Sequence, residues 1–242
     1  MQSFLIALQF LTRFPVRLAE VPTPEARGRS LLAYPLVGAV IGLLLAGLDY
    51  VLGTPDPWLE AALLLTAWVI VTGALHLDGL ADSADAWLGG RGEPERTLEI
   101  MKDPRSGPAG VAAVVMLLLV KFAALTALLR AELWLVLLIT PILGRTLLIW
   151  LFLTTPYVRE NGLGADLARH LPRDAGWLVL VLVALAMPLL FGWSGLRLLL
   201  ILAVVAWLLR RLMLKHIHGT TGDTAGALLE VIEVSCLVAL AL

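Results

Sequence analysis

The feature that most constrains this chain is a series of long apolar runs, each near the ~20 helical residues that cross a bilayer core. They lie at about residues 31–52, 58–77, 108–129, 133–153, 176–191, 196–213 and 224–242. Of 242 residues, 60% are hydrophobic and 15% charged, against about 45–50% apolar and about 25% charged in an ordinary soluble domain. Such an excess cannot be hidden in one water-soluble core, because a domain of this size still exposes much of its surface. The runs are rich in Leu and Ala and lack the alternation of barrel strands. The expectation is an all-α fold: a polytopic integral membrane bundle of about seven transmembrane helices, one membrane-embedded domain over residues 1–242.

The net charge of −1 gives no global attraction for nucleic acid, so the placement of charge matters more than its sum. Arg13, Arg17, Arg27 and Arg29 precede the first run, and Arg91, Arg96, Lys102 and Arg105 lie between the second and third. Arg159, Arg169 and Arg173 follow the fourth, and Arg210, Arg211 and Lys215 the sixth. The alternate connections hold only Arg130, with Arg197 just beyond the last. The positive-inside rule then predicts cytoplasmic polar loops, with the C-terminus on the far side. Residues 1–14 place Phe4, Leu8 and Leu11 on one helical face and are too short to span, which predicts an interfacial or re-entrant helix. No basic stretch precedes it and no small-residue cleavage site follows, so no cleaved signal peptide is expected. Cys236 reads as a small core residue.

The second apolar run ends in a block from His76 to Trp87 that carries Asp78, Asp82 and Asp85. If the helix continues, these carboxylates fall at i, i+4 and i+7 on one stripe. Like charges so placed repel, and Mg²⁺ or Mn²⁺, which take oxygen ligands, would relieve them. The alternative, a solvated acidic helix end, fits less well because acid at a helix C-terminus opposes the macrodipole. Gly79, Ala81 and Ala84 leave room for backbone or ligand to approach. His76 points away from the stripe and ranks behind the carboxylates as a proton acceptor.

Further polar segments flank this block. Residues 99–110 combine Lys102, Asp103 and Arg105 with a Gly/Pro-rich helix entry, which suits a phosphate seat but also ordinary capping. Asp103 is either another metal ligand or the partner of a neighbouring base. Residues 154–176 include Tyr157, Arg159, Glu160, Asn161, Gly162 and Gly164, either a loop that closes over substrate or a plain surface loop. His216 and His218, two residues apart, face different sides of a helix and do not read as a zinc pair. Asp223, Glu230 and Glu233 look like another wall of the site. Lys121 and Arg145 lie inside apolar runs, where an ionised group costs about 2.5–3.5 kcal/mol. They are read either as internal ion pairs with Glu230 and Glu233 or as a pocket for an anionic substrate, and the second reading fits the remaining motifs better.

Together these blocks resemble the cobalamin synthase family, the adenosylcobinamide-GDP ribazoletransferases. The likeness runs from Phe10-Leu11-Thr12-Arg13-Phe14-Pro15-Val16 through His-x-Asp-Gly-x-Ala-Asp-x-x-Asp at His76–Asp85, residues 100–110, Gly144-Arg145 and residues 157–164, to residues 222–233. The resemblance implies a Mg²⁺-dependent transferase of a bacterial or archaeal cytoplasmic (inner) membrane. Its members join α-ribazole or α-ribazole 5′-phosphate to adenosylcobinamide-GDP, giving adenosylcobalamin or its 5′-phosphate and GMP. On that basis Asp78, Asp82 and Asp85, with Asp103, would hold the metal. Arg13, Lys102, Arg105, Lys121 and Arg145 would meet anionic substrate, beside Asp223, Glu230 and Glu233. The ribazole 5′-hydroxyl would attack the cobinamide-side phosphorus, and Asp82, Asp85 or His76 would take its proton. The implied partners are these small molecules and the lipid bilayer, with a homo-oligomer or other cobalamin-assembly enzymes as further options. Two rivals stand beside this reading. One is a CDP-alcohol phosphotransferase, whose motif has Ala-Arg after Asp-Gly where this chain has Ala81-Asp82. The other is a transporter using the intramembrane charges, disfavoured because no inverted repeat is evident.

Overall fold

A computed structural model describes residues 1–53, 56–159 and 162–242. Eleven α-helices carry the described chain: α1 (Gln2–Leu11), α2 (Pro24–Ser30), α3 (Tyr34–Leu52), α4 (Pro57–Thr72), α5 (Leu75–Gly89), α6 (Pro94–Ile100), α7 (Pro108–Arg130), α8 (Leu135–Thr154), α9 (Leu163–His170), α10 (Arg173–Ile217) and α11 (Gly222–Ala241). Among the described residues five stretches are long and apolar enough to cross a membrane, or six if α4 and α5, bent by 87° at their break, count as one span. This is the polytopic helical membrane architecture that the apolar runs predict.

The longest helix accounts for two of those runs. Its backbone leaves helical geometry at Gly192 (φ 56°, ψ −135°). Arg173 near its start donates to the Leu153 carbonyl (2.8 Å), and Arg210 near its end donates to the Thr154 carbonyl (2.6 Å). A straight helix would put those two arginines about 55 Å apart. Both ends therefore lie at one end of α8, and α10 is a helical hairpin turning at Gly192. Beside that turn, a Cβ on Gly195 would run into the Met187 carbonyl. Most of its large apolar side chains face outward, as lipid-facing residues do.

The interior is built on α3, α8 and α11. Gly38 and Gly42 sit one turn apart on α3, and a Cβ on Gly42 would come within 2.6 Å of Leu138 Cα. These small residues let the two helix backbones meet, the usual route to tight packing where lipid removes the hydrophobic drive. Pro141 lies opposite, its carbonyl against Gly38. The N-terminal helix α1 buries Ile6, Ala7 and Leu11 and packs Phe4 and Leu8 against the core. At ten residues it is too short to span.

The connections rich in Arg and Lys gather at one end of the bundle. Arg27 pairs with Asp166 (2.8 Å), Arg159 reaches the Met101 carbonyl (3.3 Å), and Arg173 and Arg210 hold the end of α8. Leu240, near the C-terminus, lies with Leu133 and Leu135 at the opposite end.

Candidate active site

The helix carrying the aspartates is not the tail of the second span. Gly73 (φ 63°) and Ala74 (φ 56°) both take left-handed backbone after α4, and α5 starts afresh at Leu75. Asp78 thus falls in the first turn of a new helix. Negative charge is favoured there by the macrodipole, so the expectation of acid at a helix C-terminus is corrected. The predicted i, i+4, i+7 stripe survives, since Asp78, Asp82 and Asp85 all lie in α5.

Glycine contacts bring α11 onto α5. A Cβ on Gly79 would lie 2.7 Å from the Asp223 carbonyl, and one on Gly226 would lie 3.2 Å from His76 Cα. Thr221 and Thr224 close a capping box at the start of α11. Asp223 in its first turn is thereby set beside Asp78 and His76. The loop after α8 joins the same corner by hydrogen bonds from Thr220 N to the Pro156 carbonyl (2.8 Å) and from Val158 N to the Thr220 carbonyl (3.0 Å). They place Arg159 in an ion pair with Asp223 (2.7 Å).

Two hollows flank α5. A cavity of about 260 Å³ is lined by His76, Asp78, Asp223, Tyr157 and Arg159, with Phe10 and Tyr34 on its apolar wall. A groove of about 400 Å³ is lined by Asp82, Asp85, Asp103, Arg105, Ser106 and Gly107. Asp82 stands in the field of Asp78, Asp223 and Asp85, which Arg159 offsets.

The predicted ligands differ in how they are engaged. Asp85 accepts from Gly107 N (2.7 Å) and Gly110 N (2.9 Å), so the amides at the start of α7 serve a carboxylate of the chain itself. The phosphate seat expected there is corrected accordingly, and Asp85 acts as a clamp. Asp103 takes both Nε (2.9 Å) and Nη2 (2.6 Å) of Arg105. That guanidinium holds the Asp103 carboxyl down to about 2, so Asp103 is the partner of a base. Among the described residues the carboxylates of Asp78 and Asp82 make no hydrogen bond or ion pair. No group of three His, Cys, Asp or Glu side chains among those residues could by itself hold a metal ion. Magnesium in phosphate-transfer sites uses one or two carboxylates and takes its other oxygens from substrate and water. Asp78 and Asp82 fit that pattern.

Lys121, Arg145, Glu230 and Glu233 do not reach either hollow. Lys121 Nζ binds Glu233 (2.6 Å) and Glu230 (3.2 Å) and lies 4.2 Å from the Trp68 ring centre. Arg145 binds the other oxygen of Glu233 (2.8 Å), and Gly144 leaves room for the Glu233 side chain. Two cations and two anions close on one another inside the bundle, and Arg145 and Glu233 are wholly buried. The anionic-substrate reading of Lys121 and Arg145 is therefore replaced by the internal ion pairs, and Glu230 and Glu233 are not walls of the site. His76 lies between the two regions: it lines the cavity and is within electrostatic reach of Arg145 and Lys121.

Other predicted residues sit at the periphery. Arg13 is exposed, its backbone N donating to the Val71 carbonyl (2.8 Å) and its side chain covering Gly73 at the α4–α5 elbow. Lys102 is exposed. Gly162 and Gly164 accommodate the Tyr157 ring, so this glycine pair packs rather than hinges. Glu160 and Asn161 lie outside the described residues. His216 stacks on Trp87 (5.5 Å), and Cys236 is buried beside Thr140. Arg159 is the residue that sequence reasoning undervalued. Its place in a polar block after the fourth run was visible, but its reach to Asp223, across more than 60 residues, was not.

A family model described as cobalamin-5-phosphate synthase matches residues 3–241. A Pseudomonas syringae pv. syringae (strain B728a) protein named adenosylcobinamide-GDP ribazoletransferase is 57% identical over 242 residues, all of both chains. A protein of the same name from Stutzerimonas stutzeri (strain A1501) is 57% identical over all of this chain and 98% of its own. One from Pseudomonas putida (strain F1) is 58% identical over all of this chain and 99% of its own. No solved structure matches. Matched from end to end, with the acidic α5 and the Gly222–Glu233 segment inside the matched span, the chain belongs to the cobalamin-5-phosphate synthase family.

Proposed function

We propose that this protein is an adenosylcobinamide-GDP ribazoletransferase, joining α-ribazole or its 5′-phosphate to adenosylcobinamide-GDP with release of GMP. What carries the reading is the pair Asp78 and Asp82. Among the described residues these carboxylates are paired with no cation; Asp78 lines one hollow and Asp82 another, in a chain 57% identical over its full length to a protein of that name. The basic end of the bundle faces the cytoplasm of a bacterial or archaeal cell by the positive-inside rule. The soluble, nucleotide-linked substrates are available on that side.

Asp78 and Asp82 would hold Mg²⁺, which when bound supplies neutralising charge to the diphosphate. Arg159, fixed by Asp223, presents a guanidinium to the same cavity for a phosphoryl oxygen. A ribose hydroxyl of the acceptor forms the new P–O bond at the cobinamide-side phosphorus, and the P–O bond to GMP breaks. In the phosphorylated acceptor the 5′ oxygen is already esterified, so the attacking hydroxyl is another one. His76, buried at the cavity wall, or Asp82, on the neighbouring groove, would take its proton. The transport alternative loses its footing, since the charges it invoked are paired with one another.

The test is turnover by purified protein with Mg²⁺, adenosylcobinamide-GDP and either acceptor. GMP and a cobamide are expected, with activity abolished by EDTA and restored by Mg²⁺. Release of CMP from a CDP-alcohol, or folded protein inert with both acceptors, would overturn the assignment.

A further inference from the structure

A third hollow, of about 500 Å³, opens beside the site, lined by Arg159, Arg169 and Arg173 together with Thr154, Thr155 and Tyr157. No described carboxylate lines it. Among the described residues neither Arg169 nor Arg173 is in an ion pair. The nearby Asp166 is taken by Arg27, and Arg173 donates only to the Leu153 carbonyl. Arg210 braces the same rim, donating to the Thr154 carbonyl and to Thr155 Oγ1 (3.1 Å). Guanidinium groups gathered around one hollow repel each other, and a dianion removes that repulsion while taking bidentate hydrogen bonds. The hollow adjoins the carboxylate cavity, and Phe152, Tyr157 and Arg159 line both. The Phe152 and Tyr157 rings stack at 6.0 Å to form the shared wall.

We propose that the Arg159–Arg169–Arg173 cleft is an anion subsite for a phosphate monoester, and that it seats the non-reacting 5′-phosphate of the acceptor. The proposal rests on the transferase reading above. Its logic is that binding a part of the substrate remote from the reacting centre helps position the part that reacts. Arg159 touches both hollows and links the two ends of one ligand. The same chemistry could be offered by a lipid headgroup, and the experiment separates the two.

The test uses full-length protein in nanodiscs of phosphatidylcholine, comparing wild type with R169Q and R169Q/R173Q. The ratio of kcat/KM for α-ribazole 5′-phosphate to that for α-ribazole is expected to fall by about tenfold or more in the double variant, with the loss carried by KM. An unchanged ratio, or a loss confined to adenosylcobinamide-GDP, overturns the proposal. So does a difference between wild type and variant seen only when phosphatidylglycerol is present, which would assign the cleft to a lipid. Calorimetry with ribose 5-phosphate tests the cleft without turnover. Binding by wild type, weakened about tenfold or more in R169Q/R173Q, supports it. Absence of binding by wild type overturns the cleft and leaves the transferase reading standing. Intact binding with no GMP release would instead sink the transferase reading and keep the cleft. R169Q alone, which spares the Arg173–Leu153 hydrogen bond, guards against loss of folding.

Discussion

Two groups of charged residues lie close together in this bundle and behave in opposite ways. In one, Lys121, Arg145, Glu230 and Glu233 are buried and closed on each other, tying α7, α8 and α11 together with Trp68 of α4 against Lys121. In the other, the acid on α5 exceeds the basic charge nearest to it, and Asp78 and Asp82 face open hollows. Both draw the eye in the sequence as charge inside or beside apolar runs. In this bundle the carboxylates left without a partner among the described residues are the ones open to a ligand. Where the partner is present, the ion pair is part of the packing.

Four substitutions probe that contrast, beginning with the largest expected effect. Glu233→Ala strands Arg145 and leaves Lys121 with Glu230 alone, and breaking a buried pair costs about 3–5 kcal/mol. The variant should lose most of its monodisperse yield in detergent, and wild-type thermal stability would contradict the structural role. Asp82→Asn should leave yield and Tm near wild type while turnover falls by about two orders of magnitude or more. Full activity would remove Asp82 from the metal reading.

Asp85→Ala deletes the acceptor for Gly107 N and Gly110 N. It should cost about 0.5–2 kcal/mol, as loss of a helix N-cap does, with a matching fall in Tm. Asp103→Asn is expected to do least. The folded carboxyl titrates near 2, below its ordinary value of 3.8. Its contribution is therefore present above about pH 4 and lost as pH falls through about 2. The difference in stability between wild type and variant should be flat from about pH 4 upward and close below it. A difference that grew toward acid would reverse that sign.

Much of the fold was legible because lipid imposes a simple rule: backbone polar groups must be satisfied within a helix, and ~20 apolar residues are needed to cross. The start of α7 at Pro108 follows from local chemistry. The elbow between α4 and α5 did not, because Ala74 adopts left-handed backbone that favours glycine. Hydropathy ran through the elbow without a break, and the dipole argument came out reversed. The carboxylate stripe was legible from its spacing alone. The clamping of Asp85 onto α7 was not, because it joins residues 22 and 25 positions apart.

By itself the sequence determined what local rules govern: a lipid-embedded helical bundle, its basic end, and an acidic stripe of period near 3.6. Tertiary structure alone decided which charges are spent on one another and which remain for a ligand. Partner choice among Lys121, Arg145, Glu230 and Glu233, or between Arg159 and Asp223, depends on which helix faces which. That is set by side chains meeting across 60 to more than 100 residues, where neither periodicity nor hydropathy carries information.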